Sequence, residues 1–197
     1  MAEIFAAAYP KGDNPRAQSG FGGDEAHWVA ARRPIADAID RPGTFLDIGC
    51  ANGHLLECLV RWAPHAIEPY GLELAPAVAA LARERLPRWA GRIFVGNGLE
   101  WEPPRRFDFV RTELVYVPSE RERAYVERLL DRVVVPGGRL IVCGYGSPRS
   151  GLVADPVAIR LRSYGLEPEL EYEAEAPEGG GAIVTIACLR AKEGLAE

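Results

Sequence analysis

Methionine, histidine and patterned cysteine are scarce in this sequence. Its 197 residues hold one Met, three His and four Cys. The cysteines, at positions 50, 58, 143 and 188, contain no Cys-x-x-Cys spacing, which argues against zinc sites and disulfide frameworks. They lie in apolar stretches and read as reduced core residues, and no metal ligand set is expected. No apolar run approaches the ~20 residues of a membrane span, and no basic-apolar leader opens the chain, so a cytoplasmic protein without a membrane partner is expected. Positive charge is also short, with 23 Lys and Arg against 28 Asp and Glu, a net charge of −5. Arg121, Arg123, Arg128 and Arg132 are interleaved with Glu120, Glu122, Glu127 and Asp131, the pattern of a solvated helix face rather than a phosphate-binding stripe. Nucleic acid is therefore disfavoured as a partner. There is no internal repeat and no long low-complexity segment.

What is present begins at Phe45. Phe45 to Ile48 is a short apolar run after Pro42-Gly43, and Leu55, Leu56, Leu59 and Val60 recur at helical spacing beyond Gly49 and Gly53. The period therefore changes across the glycines, as in a βαβ unit, and the glycines let bare backbone approach a ligand. Asp47 at the strand end would repel a pyrophosphate, and Asp47-x-Gly49-x-x-x-Gly53 lacks the middle glycine of a dinucleotide fingerprint. No Gly-Lys-Ser/Thr follows to make a P-loop. A second strand, Glu68 to Glu73, ends in another acid about twenty residues beyond Gly53, where βαβ sites place a ribose-binding carboxylate. Such a carboxylate accepts both sugar hydroxyls.

The segment Asp47-Ile48-Gly49-Cys50-Ala51-Asn52-Gly53 resembles the first motif of class I S-adenosylmethionine-dependent methyltransferases, and similarity continues to about Gly146. The resemblance implies that Asp47 lies near the amino end of the cofactor. It also implies that Gly49, Cys50, Gly53 and the following helix accommodate the methionine portion, with a positive helix N-terminus near its carboxylate. Glu73 is then the ribose acceptor, and Leu74 covers one adenine face. Asn97 stands where the family often has Asp and accepts from the adenine amino group, Gly98 offers backbone to the ring edge, and Leu99 covers the second face. Asn97-Gly98 is equally well read as a simple tight turn. The implied chemistry is attack by an acceptor nucleophile on a sulfonium methyl group, dominated by positioning.

Acceptor contacts are expected on Arg111 to Pro118, after the fourth strand, with Glu113 and Tyr116 as the site residues. Glu113 would repel phosphate and favour a cationic or hydroxyl-bearing small molecule. The Asn-Pro-Pro-Tyr signature of many amino-methylating enzymes of nucleic acids is absent. His27 is expected at the surface and His54 in the first turn of a helix without catalytic duty. Two rival functions remain open, a non-catalytic S-adenosylmethionine-binding protein and an NAD-binding oxidoreductase.

The expected fold is α/β, a doubly wound, mostly parallel seven-stranded sheet with helices on both faces and an antiparallel last strand. Residues 1–23 are a flexible N-terminal segment or a lid in which Tyr9 and Phe21, with Trp28, supply apolar contact; 24–191 form one domain, and 192–197 a tail. Helices are expected over Asp24 to Ile39, Pro76 to Leu86, Ser119 to Val134 (capped by Ser119 with Glu122 in a capping box) and Asp155 to Tyr164. Strands are expected over Arg92 to Val95, Phe107 to Arg111, Leu140 to Tyr145 after a Pro136-Gly137-Gly138 turn, Glu167 to Glu173 and Ala182 to Leu189. Sequence does not reveal the oligomeric state.

Overall fold

The computed structural model describes residues 12–147 and 150–193. Its centre is Gly43–Ile48 (β1), whose Phe45 and Leu46 are fully buried on opposite faces. A strand covered on both faces reads as a continuous apolar run rather than an alternation, which is the signature of a parallel sheet. Helix His54–Trp62 (α2) follows, then Ile67–Glu73 (β2), Pro76–Arg85 (α3), Ile93–Val95 (β3) and Phe107–Glu113 (β4). Glu122–Arg128 (α4), Val134–Tyr145 (β5), Val157–Ser163 (α5), Leu170–Glu175 (β6) and Ala182–Arg190 (β7) complete the chain, and Glu25–Arg32 (α1) precedes the sheet.

The seven strands lie in the order β3-β2-β1-β4-β5-β7-β6. β1 pairs in parallel with β2 and β4, β2 with β3, and β4 with β5, while β7 runs antiparallel to both β5 and β6. This is the expected doubly wound sheet with its last strand reversed. The strand order turns back on itself between β1 and β4, which opens a crevice at their carboxyl ends where such sheets bind ligands. Trp28, Leu56, Phe45, Phe109 and Ile141 pack one face, and Leu46, Val110, Leu140, Val126 and Leu161 pack the other. At the opposite edge of the sheet the Asp108 carboxylate accepts from the Thr44 backbone and hydroxyl, both at 2.9 Å, and ties β4 to β1.

Several elements differ from expectation, each for a local reason. The helix from Asp24 is shorter than its apolar pattern, because a proline-containing 3-10 turn, Arg33–Ala38, takes over after Arg32. Asp24 does cap α1, accepting from the His27 backbone at 3.0 Å. The stretch from Ser119 is a 3-10 turn, then α4, then a wide π turn over Leu129–Val133. Ser119 is not its cap; Glu122 is buried and bonds to Arg160 at 3.1 Å and to the Tyr164 hydroxyl at 2.6 Å instead of to a helix N-terminus. β5 begins at Val134, before the Pro-Gly-Gly sequence, and its pairing with β4 is irregular between Phe107 and Phe109. His27 is buried, not superficial, with its ring nitrogens 2.7 Å from Asp24 and 2.7 Å from Glu178. Tyr9 lies outside the described residues.

Candidate functional site

Four strand ends build the site. β1 runs into Gly49 at φ 82°, a left-handed backbone position that favours glycine, and an added Cβ there would meet nothing within 4 Å. Two residues on, Ala51 holds φ 46°, the one non-glycine positive φ among the described residues. That conformation costs about 1–2 kcal/mol in an L-residue, and Glu73 from the end of β2 helps to hold it. One Glu73 carboxylate oxygen accepts from the Ala51 backbone at 3.0 Å and the other from Ala75 at 2.9 Å. Glu73 is therefore only 8% exposed, not the exposed strand end that its sequence position suggests. Burial pushes its carboxyl above the ordinary glutamate value despite these backbone hydrogen bonds.

A cavity of about 260 Å³ lies along this edge. Glu73, Leu74, Asn97, Gly98, Leu99 and Gly49 line it, as do Glu113 and Tyr116. The Asn97 side-chain oxygen accepts from the Leu99 backbone at 3.1 Å, so the turn and the cavity wall are the same piece of structure. Gly98 leaves no room for a side chain, since a Cβ there would stand 2.9 Å from Ile48 Cγ2. Leu74 is 44% exposed, and with Leu99 it gives the cavity apolar surface.

Asp47, Cys50 and Gly53 do not line it. Asp47 is buried behind the wall, bonded at 3.0 Å to Arg111 from β4. Burial pushes its carboxyl up and the Arg111 guanidinium opposes that shift. Cys50 packs under β2, where an added Cβ on Gly71 would meet its sulfur, and burial raises its thiol well above the usual range. Gly53, at φ 76°, lets the chain turn into α2 against Leu86 and Ala82. These three shape the loop rather than face the opening.

A second cavity of about 980 Å³ adjoins the first, and the two share Gly20, Phe21, Arg32, Glu113, Tyr116 and Val117. Glu113 and Tyr116 thus stand at the junction. Arg111 donates to Glu113, to Asp47 and, at 2.9 Å, to the Tyr145 hydroxyl. Burial pushes the Tyr145 phenol far above its ordinary value. Thr112 and Tyr125, whose oxygens are 2.7 Å apart, form another part of the wall, and burial pushes the Tyr125 phenol up to about 12. Sequence reasoning missed Tyr125 and Arg32, and placed Arg111 and Thr112 in the acceptor segment without giving either a role. The signal available was Arg111 itself, a charged residue inside an apolar strand pattern. His54 stacks on Trp28 at 4.8 Å and lines neither cavity.

A reversed-order parallel sheet with a glycine loop, an acid at the second strand end and a crevice across both defines a doubly wound protein with a ligand-sized crevice at its switch point. Comparison narrows the class. Residues 45–138 match a methyltransferase-domain family model. The trans-aconitate 2-methyltransferase of Methylobacterium nodulans is 35% identical over 131 residues, covering 59% of this chain and 49% of that protein. Its counterpart in Methylobacterium radiotolerans is 26% identical over 166 residues, covering 74% and 62%. The chain spans 49% and 62% of the length of these two relatives, less than two thirds of either. Among solved structures, the Burkholderia thailandensis 1,6-didemethyltoxoflavin-N1-methyltransferase with bound S-adenosylhomocysteine superposes with a TM-score of 0.66 at 18% identity, covering 98% of this chain and 87% of that one. The N-methyltransferase NodS of Bradyrhizobium japonicum, in complex with S-adenosylhomocysteine, gives 0.65 at 19% identity, covering 98% of each chain. At those identities the likeness is one of fold. Over residues 45–138 the chain is thus similar to the methyltransferase domain, on a fold shared with methyltransferases that bind S-adenosylhomocysteine.

Proposed function

We propose that this protein is an S-adenosylmethionine-dependent methyltransferase acting on a small-molecule acceptor. The observation that carries this reading is the pair of adjoining cavities, one against the strand ends lined by Glu73, Leu74, Asn97 and Leu99 and a larger one beyond it, which meet at Glu113 and Tyr116. The residues present fit the cofactor. Glu73 has lone pairs left for ribose hydroxyls after its two backbone bonds, Leu74 and Leu99 offer faces for a planar base, and Gly98 keeps the wall thin beside Asn97. When bound, the cofactor supplies an electrophilic methyl group on a positively charged sulfur.

The chain's own part is to hold and orient. Arg111 fixes Glu113 at the junction while being fixed itself by Asp47 and Tyr145, and this removes motion from a side chain that meets the acceptor. Because Arg111 answers the Glu113 charge, the junction does not present an unpaired carboxylate, and the case for a cationic acceptor loses its basis. The relatives named for trans-aconitate, an organic acid, support a small-molecule acceptor of that size without a positive charge. Ser19, Gly20 and Phe21 cover the cofactor cavity from the N-terminal side, which suits a lid. No helix among the described residues is long and apolar enough to cross a membrane.

A non-catalytic binder would have no use for a second cavity of this size, and the methyltransferase-domain match over residues 45–138 speaks against an NAD-dependent oxidoreductase. The test is incubation with isotopically labelled S-adenosylmethionine and a panel of small acids, alcohols and amines, read by mass spectrometry for the labelled product. Efficient labelling of tRNA or DNA, or calorimetry in which NAD binds more tightly than S-adenosylhomocysteine, would overturn the proposal.

A further inference from the structure

The glycine loop has few donors left for an anion. The Gly49 and Cys50 N–H groups both go to the Leu72 carbonyl, at 2.8 and 3.1 Å, Ala51 goes to Glu73, Gly53 to the Cys50 carbonyl at 2.9 Å, and His54 to the Asn52 side chain at 3.2 Å. The N-terminus of α2 is covered as well: Asn52 is fully buried and donates to the Pro15 carbonyl at 2.8 Å, and neither Gly53 nor His54 reaches a cavity. The methionine portion of the cofactor carries a carboxylate, so that carboxylate needs another cation.

We infer that this cation is Arg32, the last residue of α1, whose guanidinium binds the carboxylate of the cofactor's methionine portion. The inference rests on the methyltransferase reading of the site. Arg32 lines the cofactor cavity beside Phe21, Gly49 and Ala51. Its Nη1 is covered by the protein and has no hydrogen-bond partner, which leaves the Nε–Nη2 edge of the guanidinium for a ligand, and among the described residues Arg32 makes no ion pair. Arg111 and Arg160 nearby have their charge met by ion pairs, Arg111 with Asp47 and Glu113 and Arg160 with Glu122 and Asp155, although Arg111 Nε also lacks a hydrogen-bond partner. The side chain is nevertheless held, with its guanidinium carbon 3.5 Å from the Tyr145 ring centre and 5.2 Å from that of Trp28. A stacked guanidinium is a fixed planar fork that suits a carboxylate at two points.

The experiment compares two ligands that share the nucleoside and the thioether, S-adenosylhomocysteine and 5′-methylthioadenosine, of which the second lacks the carboxylate. Calorimetry on the wild type, Arg32→Gln and Arg32→Lys is expected to show S-adenosylhomocysteine weakened roughly 10- to 100-fold by Gln, the scale for a lost charged hydrogen bond, and less by Lys. Methylthioadenosine should stay within about twofold of wild type in all three, on the same scale. Equal loss of both ligands would make Arg32 a structural residue. Unchanged S-adenosylhomocysteine affinity would also overturn the inference, including the case in which only the acceptor KM rises. A wild type that binds neither ligand would instead defeat the methyltransferase reading itself, and the wild-type titration distinguishes that failure from the others.

Discussion

Replacing Glu73 tests whether one carboxylate both builds the loop and holds the ligand. Its two oxygens accept from Ala51 and Ala75, and each hydrogen bond to a charged group is worth about 1.5–3 kcal/mol. Glu73→Ala forfeits both, and a gain from no longer burying a charge offsets part of that loss. The net cost is about 2–4 kcal/mol, a large share of the ~5–15 kcal/mol typical of a domain. Glu73→Gln keeps one carbonyl oxygen for one of the two amides and should cost about 1 kcal/mol of stability. For the ligand the order of effects changes. A neutral amide cannot accept both ribose hydroxyls while also serving the backbone, so Glu73→Gln should weaken S-adenosylhomocysteine by about 1.5–3 kcal/mol, or roughly 10- to 150-fold. Urea unfolding without ligand gives the first quantity and calorimetry the second. A Glu73→Gln protein with wild-type affinity would remove Glu73 from ribose binding, and a Glu73→Ala protein with an unchanged urea midpoint would refute its support of Ala51.

The remaining expectations concern the junction, the adenine wall and the far edge of the sheet. Glu113→Gln and Tyr116→Phe should each lower methyl transfer, by about tenfold or more for a displaced acceptor, while S-adenosylhomocysteine affinity is retained; full turnover in both variants, once an acceptor is found, would exclude them from the acceptor site. Gly98→Ala drives a Cβ to within 2.9 Å of the stiff Ile48 side chain and should weaken cofactor binding by about 1–3 kcal/mol through a shifted wall; calorimetry showing no change would mean that this turn does not contact the ligand. At Asp108, burial pushes the carboxyl up, but the Thr44 hydrogen bonds and Arg41 outweigh it and hold the pKa below the ordinary value. Its stabilising contribution is therefore complete above the unfolded-state pKa and is lost as pH falls through the lowered folded value. Asp108→Asn should flatten the fall in urea midpoint over that acidic window, and an unaltered pH profile would contradict the assignment.

The strand-end half of the candidate site was legible because it sits on local spacing: a strand, two glycines and a helix, then an acid at the next strand end. Glu73, Asn97, Gly98 and Leu99 were found that way, and the structure brings them to one cavity. Asp47, Cys50 and Gly53 share the same motif but turn away from the opening, since periodicity places a residue on a strand or loop without saying whether its side chain faces the ligand or the core. Arg32 was not legible as a lining residue, and Arg111 only as the start of the acceptor segment, without its role. Their meaning depends on contacts across the sheet and between α1 and β5, which no sequence separation encodes. The Ser119 cap failed for a related reason, because Glu122 found partners on α5 that are stronger than a helix N-terminus. His27 was misplaced likewise: the Glu178 that meets it lies far along the chain, on the β6–β7 connection.

The Arg111–Asp47 pair has a consequence for folding. The two residues are directly opposite in the β1–β4 register. In a parallel sheet covered on both faces, a slip of two residues leaves every side chain on its original face, and Phe45, Leu46, Phe109 and Val110 would tolerate the exchange of apolar neighbours. The ions would not. A slip in one direction sets Asp47 beside Phe109, and in the other beside Glu113, stranding charge in a dry interior at several kcal/mol per ion. The pair thus proofreads the alignment of the two strands between which the ligand crevice opens, so that the crevice forms only when the sheet has been assembled in one way.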